Sequence, residues 1–495
     1  MPRRTACPLL LAALLALPAR AESPADLPHG RSLALPGGGD FFAFALSPDG
    51  KAFASVGGDR VIRLWDVASG KELRQLKGHE AVVSALAFAP DGKRLASGVW
   101  GGVIRLWDTA SGKELHRLTG HRAGVNSLAF APDGRWLASG GGDTLIGLWD
   151  AAAGQAVAQF GRHRGEVTAV AFAPDGRSVA SADDGGSARV YAVPRGRELV
   201  RLDGHRGAVQ AVAFSPDGRM VASAGEDRSV RLWELAAGEE RGRLDGHTDA
   251  VQAVAFAPGG LALATAGADR TVRLWDAASG KELLRGTKHR AGVTFVAFAP
   301  GGKLLSAGYE PAANLWDTAG RLAAKPTPLA PGDLPRLWGD LAGADAGRAW
   351  RAVCALGADP GRSVPFLRAR LASLSPAAVA RLVRDLDDDS FAVREEATAQ
   401  LAALRPAAEP ALRTALQGPL SLEARRRLER VLSAPPGDGL PPGRLRVLRA
   451  VEALERTGKP EAAEVLAALA KGEPTFWLTR EAQAARDRLS RRPAP

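Results

Sequence analysis

Residues 121–150 contain, within thirty positions, the side-chain types of a hydrolase active site. His121, Ser139 and Asp143 precede Trp149 in this segment. A histidine that is oriented by a carboxylate can take the proton of a serine hydroxyl and so activate it as a nucleophile. The alternative is that the four side chains form a structural hydrogen-bond chain, and other copies of the pattern can decide between the two.

The same residue types recur at a fixed interval. The tetrapeptides SPDG, APDG and APGG start at residues 47, 89, 131, 173, 215, 257 and 299, so every step is 42 residues. Three further complete copies of the pattern are His205, Ser223, Asp227 and Trp233; His247, Thr265, Asp269 and Trp275; and His289, Ser306, Glu310 and Trp316. A catalytic serine must be exposed to substrate near oxyanion donors, and an enzyme has little use for four such sets. The repetition therefore favours a structural role.

Each 42-residue period alternates apolar and polar residues in short runs that end at glycine-containing turns. This pattern predicts four short antiparallel strands per period. Such a sheet cannot cover both of its faces alone, so neighbouring periods must stack. With its recurring Gly-His and Trp-Asp pairs, the chain resembles the WD-repeat family over about residues 30–325. Seven such units imply an all-β, seven-bladed propeller.

The resemblance implies a role for the four repeated residues as a structural tetrad. In that role the indole, hydroxyl, imidazole and carboxylate bond to one another inside each blade, and no donor is buried without an acceptor. Three repeats depart from the pattern. Gly37 stands in place of the histidine in the first, Gly101 replaces the aspartate in the second, and Gly185 and Tyr191 replace two members in the fourth. We expect these three blades to be less well braced.

A ring of blades also needs a closed seam, because unpaired strand edges are a liability. Residues 31–37 lie one period before the outer strand of the next repeat and can supply the missing outer strand of the seventh blade. The segment after Trp316 contains prolines at 326, 328 and 331, which pair poorly in a sheet. The sequence therefore predicts closure by the N-terminal segment.

Residues that vary between otherwise similar repeats are the candidates for partner binding. The position before the tetrad carboxylate carries Trp100 in the second repeat, where most other repeats have small or acidic residues. A large aromatic residue on a turn is typical of an interface anchor, although it can also fold over a neighbouring blade. Arginines follow four of the loop histidines, and they either bind an acidic partner or are simply solvated. The candidate partner-binding residues are Phe42, Trp100, Asp184, Glu226, Tyr309, Arg122, Arg164, Arg206 and Arg290.

The first 21 residues have the pattern of a secretory signal peptide. Arg3 and Arg4 precede the apolar run of residues 8–18, and small residues at 19 and 21 predict cleavage after Ala21. The run is too short to span a membrane, which leaves an uncleaved anchor as the alternative. We therefore expect export to a periplasmic or extracellular location. Cleavage would leave Cys354 as the one remaining cysteine, so the mature chain would fold without an internal disulfide.

A second domain is predicted after a proline-rich linker at residues 326–335. The propeller is expected to occupy residues 22–325, and residues 336–493 contain successive amphipathic segments of helical periodicity. Residues 388–404 are similar to HEAT-type repeats, with Arg394 at the position of their frequent arginine. The resemblance implies an all-α solenoid with elongated surfaces for protein partners.

These features narrow the functional classes. The net charge is +11, but the arginines are scattered among acidic residues, and export removes most nucleic acid from reach, so we expect no nucleic-acid partner. The sequence contains no HExxH, GxxxxGK or GxSxG motif, and we expect neither a cofactor nor a metal. The leading hypothesis is an exported, non-enzymatic scaffold for protein partners, and an anionic envelope surface is a further candidate partner. The alternatives are a hydrolase or lyase that uses the propeller channel, and a sensor or carrier of a small or anionic ligand.

Overall fold

The structure is a seven-bladed β-propeller followed by a helical domain, as the sequence predicts. It is a computed structural model that describes residues 24–37, 41–319, 329–330, 332–343, 345–372, 376–433, 442–471 and 477–490. The predicted signal peptide and part of the predicted linker lie outside these ranges.

The propeller contains 29 described strands. Two N-terminal strands precede the blades, β1 (Ala25–Asp26) and β2 (His29–Ala34). Blade 1 contains β3 (Phe41–Leu46), β4 (Ala52–Gly57), β5 (Ile62–Asp66) and β6 (Glu72–Leu76). Blade 2 contains β7 (Val83–Phe88), β8 (Arg94–Val99), β9 (Ile104–Asp108) and β10 (Glu114–Leu118). Blade 3 contains β11 (Val125–Phe130), β12 (Trp136–Gly141), β13 (Ile146–Asp150) and β14 (Gln155–Phe160). Blade 4 contains β15 (Val167–Phe172), β16 (Ser178–Asp183), β17 (Ser187–Ala192) and β18 (Arg197–Asp203). Blade 5 contains β19 (Val209–Phe214), β20 (Met220–Gly225), β21 (Ser229–Glu234) and β22 (Glu239–Asp245). Blade 6 contains β23 (Val251–Phe256), β24 (Ala262–Gly267), β25 (Val272–Asp276) and β26 (Glu282–Gly286). Blade 7 contains β27 (Val293–Ala299), β28 (Lys303–Gly308) and β29 (Ala312–Asp317), together with β2.

The recurring PDG sequence forms the turn between the first two strands of a blade. In blade 1 the amide of Gly50 donates to the carbonyl of Ser47 at 2.8 Å, and Asp49 accepts from the amide of Lys51 at 3.0 Å. Gly50 has a φ of 69°, which favours glycine because it has no Cβ. These turns define one face of the propeller, called the PDG face below. The histidine loops and the turns between second and third strands form the opposite face, called the histidine face.

The N-terminal segment closes the ring. β2 pairs antiparallel with β29 and so provides the outer strand of blade 7, with Leu33 opposite Ala313. The sequence did not indicate a second contact, in which β1 pairs in parallel with β26 at the edge of blade 6. Leu27 and Leu33 are almost fully buried. One short segment therefore joins the last two blades.

The hydrophobic core lies between neighbouring blades. Leu106 and Leu118 of blade 2 pack in one cluster with Val125, Leu137 and Trp149 of blade 3. Similar clusters of aliphatic residues and one tryptophan join blades 1 and 2, 4 and 5, and 5 and 6. Burial of apolar surface at about 25 cal/mol per Å² is what holds the blades in the ring.

The second domain contains nine helices in the described part of the chain. They are α1 (Asp333–Asp340), α2 (Ala346–Ala358), α3 (Pro360–Ala372), α4 (Pro376–Asp385), α5 (Phe391–Leu416), α6 (Leu422–Leu432), α7 (Pro442–Thr457), α8 (Pro460–Leu469) and α9 (Trp477–Ser490). None of them is both long and apolar enough to span a membrane.

Two hydrophobic clusters organise these helices. One is formed by α1–α3 and α7–α9, and the other by α4–α6. α7 packs against α2, which is distant in sequence. The sequence indicates two separate helices within residues 391–418, whereas α5 is continuous from Phe391 to Leu416. Its Ala397, Leu401 and Leu412 share one core with α4 and α6, and this packing extends along both halves of the helix.

Candidate functional site

The four residues that resemble an active site form a closed hydrogen-bond chain inside blade 3. Trp149 Nε1 donates to Ser139 Oγ at 2.8 Å, and His121 Nε2 lies 2.6 Å from the same oxygen. His121 Nδ1 lies 3.0 Å from Asp143 Oδ1. Ser139 is fully buried. A hydroxyl that is buried and already bonded to an indole and an imidazole cannot reach a substrate, so the arrangement stabilises the blade.

The three further complete sets have the same geometry. The sets are His205, Ser223, Asp227 and Trp233; His247, Thr265, Asp269 and Trp275; and His289, Ser306, Glu310 and Trp316. In this order, histidine Nε2 lies 2.7, 2.7 and 2.6 Å from the hydroxyl oxygen, and histidine Nδ1 lies 3.0, 2.9 and 2.5 Å from the carboxylate. The indole donates to the hydroxyl oxygen at 2.8 Å in all three. Burial raises the pKa of Asp227 and Asp269, but hydrogen bonds from serine, threonine and histidine side chains outweigh it, so both pKa values are lowered.

Blade 4 has a carboxylate that the repeat alignment misses. The glycine at 185 led to the expectation of a missing acid, but Asp183, two residues earlier, takes that place. Its Oδ2 lies 2.7 Å from His163 Nδ1 and accepts from the hydroxyl of Ser187 at 2.9 Å. Asp183 is fully buried, and these hydrogen bonds lower its pKa despite its burial. The expectation for blade 4 is therefore wrong in respect of the carboxylate. Tyr191 stands in place of the tryptophan, and its hydroxyl is buried without a hydrogen-bond partner among the described residues.

In blade 1, which lacks the histidine, the carboxylate pairs with an arginine that four other blades also have at the same repeat position. A Cβ on Gly37 would lie 2.9 Å from Arg63 Nη2, so the guanidinium occupies the space next to this glycine. Arg63 Nη2 donates to Asp59 Oδ2 at 2.5 Å, while Trp65 still donates to Ser55 at 2.8 Å. The carboxylate in this blade is thus paired with a permanent cation.

In blade 2 the histidine has no carboxylate partner within the part of the chain that the structure describes. His79 Nε2 lies 2.8 Å from Ser97 Oγ, and Trp107 donates to that oxygen at 2.7 Å. Burial, together with the nearby charges of Arg105 and Arg117, lowers the pKa of His79 to about 4. In the unfolded chain His79 takes up a proton as the pH falls through about 6.5, whereas in the folded chain it stays neutral until about pH 4. Blade 2 is therefore destabilised as the pH falls from about 6.5 towards 4.

We expect Gly101→Asp to complete the tetrad of blade 2. A Cβ at this position meets nothing closer than 3.8 Å, and Asp143 stands at the equivalent position of blade 3. The new carboxylate should raise the pKa of His79 and stabilise the protein by about 1 kcal/mol at pH 7. The loss of stability at acid pH should be smaller than in the wild type. Chemical unfolding at pH 7 and pH 5 measures both effects. An equal gain in the control Gly101→Ala would contradict the role of the carboxylate.

The histidine face carries exposed aromatic side chains on blades 7, 1 and 2, and those of blades 1 and 2 lie next to each other. Trp100 of blade 2 is 59% exposed, Tyr309 of blade 7 is 52% exposed and Phe42 of blade 1 is 37% exposed. The rings of Phe42 and Trp100 lie 6.3 Å apart. Trp100 therefore contacts the neighbouring blade and still presents more than half of its surface to solvent. We call these three residues the aromatic patch.

The charged candidates lie on the same face. Asp184 and Glu226 are exposed on blades 4 and 5, and Gln210 donates to Glu226 at 3.2 Å. The side chains of Arg122, Arg164, Arg206 and Arg290 are all exposed and form no ion pair among the described residues. The structure therefore leaves the arginines available to a partner without bringing them into one cluster.

The variable polar residues of the innermost strands connect neighbouring blades. Ser84 donates to the carbonyl of Val125 at 2.6 Å, and Asn126 donates to that of Val167 at 3.1 Å. Thr168 donates to the carbonyl of Val209 at 2.5 Å. These side chains are thus committed to contacts between blades. Phe42 occupies the equivalent position in blade 1 and makes no such bond, which frees its ring for the aromatic patch.

A buried ionic network joins the PDG face of blade 5 to the helical domain. Glu234 accepts from Arg241 Nη2 at 2.6 Å and from Arg449 Nη2 of α7 at 2.5 Å. Arg241 also donates to Glu452 at 3.1 Å, and its guanidinium lies 4.6 Å from the ring of Trp350. Each of the four charged side chains is at most 3% exposed. Burial raises the pKa of Glu234, but the two arginines outweigh it and hold that pKa below its ordinary value.

A groove of about 690 Å³ lies beside this network, between blades 4–6 and helices α7 and α9. Arg219 at its wall donates to Glu455 at 2.8 Å and to Glu481 at 2.7 Å. The charges of Arg219 and Arg456 outweigh burial and lower the pKa of Asp217 to about 2. Much of the groove's charge is therefore neutralised within the protein. The ion pairs that line the groove connect blade 5 to helices α7 and α9.

The network was not predicted, although the repeats contain a signal for it. Glu234 stands where most blades have the aspartate of the Trp-Asp pair, and Arg241 stands where four other blades have an exposed Leu or Val. Met220, also in blade 5, packs into the core of the helical domain. The deviations of a single repeat thus mark the surface on which the second domain docks.

Cys354 is partly buried in α2. Burial raises the pKa of the Cys354 thiol to about 12, which keeps it protonated at neutral pH. No group of three or more histidine, cysteine, aspartate or glutamate side chains in the described part of the chain could hold a metal ion.

One family model matches the chain. The model for the WD domain, G-beta repeat, matches residues 34–66, 70–108, 112–150, 154–191, 196–234 and 238–276. These segments cover blades 1–6 apart from β26, the outer strand of blade 6, and blade 7 has the same strand order without a separate match. No curated protein gives a significant match.

Proposed function

The propeller of this chain belongs to the WD40 repeat family, and from this premise we propose that the protein is an exported, non-enzymatic scaffold that binds protein partners. The observation that carries the proposal is the aromatic patch of Phe42, Trp100 and Tyr309. Propellers of this family typically bind proteins, and Trp100 and Tyr309 stand where most other repeats have small or acidic residues.

The aromatic patch has the properties of an interface anchor. Large aromatic side chains are enriched among the residues that dominate binding energy, because they bury much surface with few rotatable bonds. The ring of Phe42 packs against that of Trp100 and limits its motion, which lowers the entropy lost on binding. The acidic side chains of Asp184 and Glu226 lie on other blades of the same face, where they can add polar contacts at the edge of an interface.

We propose a non-enzymatic role because the serine and threonine hydroxyls that could react already have hydrogen-bond partners inside the propeller. The serine and threonine hydroxyls of the complete tetrads are buried and bonded to an indole and an imidazole. Ser84 and Thr168 on the innermost strands bond to neighbouring backbone. The proposal of export rests on the predicted signal peptide at residues 1–21.

Site-specific photo-crosslinking tests the aromatic patch. A photoreactive phenylalanine analogue at position 100 is expected to capture a defined set of proteins in intact cells that express the chain. The same analogue at position 115 is the control, because Leu115 is 45% exposed on β10 of the same blade but outside the patch. Against a purified captured partner, Trp100→Ala should weaken affinity at least tenfold, or about 1.4 kcal/mol. Capture of the same proteins from position 115, or an unchanged affinity, would contradict the proposal.

A further inference from the structure

The outer strand of each blade has a backbone edge that points away from the ring, and the protein covers two of these edges with its own chain. β1 pairs in parallel with β26 and gives blade 6 a fifth strand. β22 of blade 5 packs against α2 of the helical domain. In the described part of the chain, the outer strands of blades 1–4 are each the last strand of their sheet. Such an edge presents N–H and C=O groups that can pair with a strand of another molecule.

β14, the outer strand of blade 3, differs from the other outer strands in its chemistry. Its sequence is Gln-Ala-Val-Ala-Gln-Phe, which contains no charged residue. Every other outer strand that the structure describes has at least one charge, and these strands are β2, β6, β10, β18, β22 and β26. Charged residues keep the edges of identical molecules apart, because like charges meet when such edges pair. β14 lacks this protection.

β14 is also accessible to another strand. Gln155 and Gln159 are exposed, and Val157 is 43% exposed. The preceding turn, residues 151–154, has the sequence Ala-Ala-Ala-Gly and adds no charge beside the strand. Val157 lies at a shift in the register between β14 and β13. The same shift occurs at Leu283 of blade 6, where β1 still pairs beside it, so the shift does not prevent the addition of a strand.

We propose that β14 pairs antiparallel with β14 of a second copy of the chain and so joins two propellers in a two-fold symmetric dimer. The strand suits this partner because residues 155–159 read the same in both directions. Antiparallel pairing about Val157 places the two valines opposite each other and Gln155 opposite Gln159 of the second copy. Gln159 donates to the carbonyl of Gly120 at 3.1 Å, and its side-chain oxygen can accept from the opposite Gln155. Apolar and hydrogen-bonding pairs of this kind stabilise neighbouring strands.

The geometry of this contact limits the assembly and its strength. A two-fold pairing uses the free edge of both strands, so the assembly ends at two copies. One pair of short strands buries less surface than the roughly 1,200–2,000 Å² of a typical stable interface, so we expect a dimer that dissociates on dilution. The contact lies on the rim of blade 3 and leaves the aromatic patch of each copy accessible. The dimer would therefore present two such patches.

Sedimentation velocity of the purified full chain over a wide range of concentration tests this proposal. The sedimentation coefficient should rise with concentration to that of a dimer and no further. Val157→Lys brings two like charges together and should raise the dissociation constant at least tenfold. Leu115→Lys is the matched control, because Leu115 stands at the same repeat position in β10 and is 45% exposed. This control should leave the dimer unchanged.

Disulfide crosslinking locates the contact. Val157→Cys should form a disulfide-linked dimer on mild oxidation, because the residue meets its own copy at the two-fold axis, whereas Leu115→Cys should not. The proposal is overturned by a chain that stays monomeric, by assemblies larger than a dimer, by the absence of the disulfide at position 157, or by equal effects at positions 115 and 157. Neither measurement involves a protein partner, so failure of this contact can be told apart from failure of the aromatic patch.

Discussion

Replacing Leu33 with aspartate is expected to open the propeller. Leu33 is 2% exposed in β2 and packs in a cluster that joins blade 7 to blade 1 through Phe41 and Trp65. Loss of such a side chain costs about 3–5 kcal/mol, and burial of a carboxylate adds several more. The sum approaches the total stability of about 5–15 kcal/mol for an ordinary domain. Denaturant unfolding followed by tryptophan fluorescence should therefore show a large loss of stability or no folded baseline.

The matched control is Ala34→Asp. Ala34 is the next residue of β2 and its side chain faces solvent, so the same new charge should cost less than about 0.5 kcal/mol. A similar loss in both variants would mean that the charge itself, rather than the packing of the closing strand, is responsible. Wild-type stability in Leu33→Asp would show that the ring holds together without this strand.

The second large effect is expected from Glu234→Gln. Glu234 is the carboxylate between Arg241 and Arg449, and all three are buried at the contact between the two domains. Removing one partner of a buried ion pair typically costs about 3–5 kcal/mol, because the other charge stays buried without compensation. We expect the helical domain to unfold in a separate transition at lower temperature. Differential scanning calorimetry and the radius of gyration from X-ray scattering measure the two consequences.

Acid should weaken this contact in the wild type. The pKa values of Glu234 and Glu481 are lowered in the folded chain, so both carboxylates favour folding above their unfolded pKa of about 4.3. Their stabilisation is lost as the pH falls below that value and through the lower folded pKa values. Glu234→Gln should remove the share of this dependence that comes from Glu234.

The control for Glu234→Gln is Asp245→Asn. Asp245 pairs with Arg243 at 2.7 Å on the surface of the same blade, and its side chain is 64% exposed. An exposed ion pair contributes at most about 1 kcal/mol. If the two variants lower stability equally, the buried network does not hold the domains together.

The regular part of the fold can be predicted from the sequence because its causes are local. The PDG turns and the alternating strands recur every 42 residues, and they set both the number of blades and the position of the tetrads. The pairing of β1 with β26 could not be predicted, since Ala25 and Asp26 carry no strand pattern. The continuity of α5 was also missed. The prolines within residues 391–416 are local signals that indicate a break, whereas the helix is held by a core that it shares with α4 and α6.

The site residues that the sequence did not reveal are those that replace a repeat member from another position. Asp183 reaches His163 from two residues before the expected place. An alignment by position cannot show this substitution, because it depends on where the side chain points in three dimensions. Glu234 and Arg241 were visible as deviations, but their meaning required the partner helix α7.

The closing strand also sets the order in which the protein can fold. Leu33 pairs with Ala313, so one of the first two strands to leave the ribosome must wait for the last strand of the propeller. Contacts between residues so far apart in sequence form slowly, because a long loop must close, at a cost in chain entropy, before these contacts can stabilise the fold. Until then the edges of β2 and β29 are open to pairing with other chains. Synthesis of the complete propeller therefore precedes its closure.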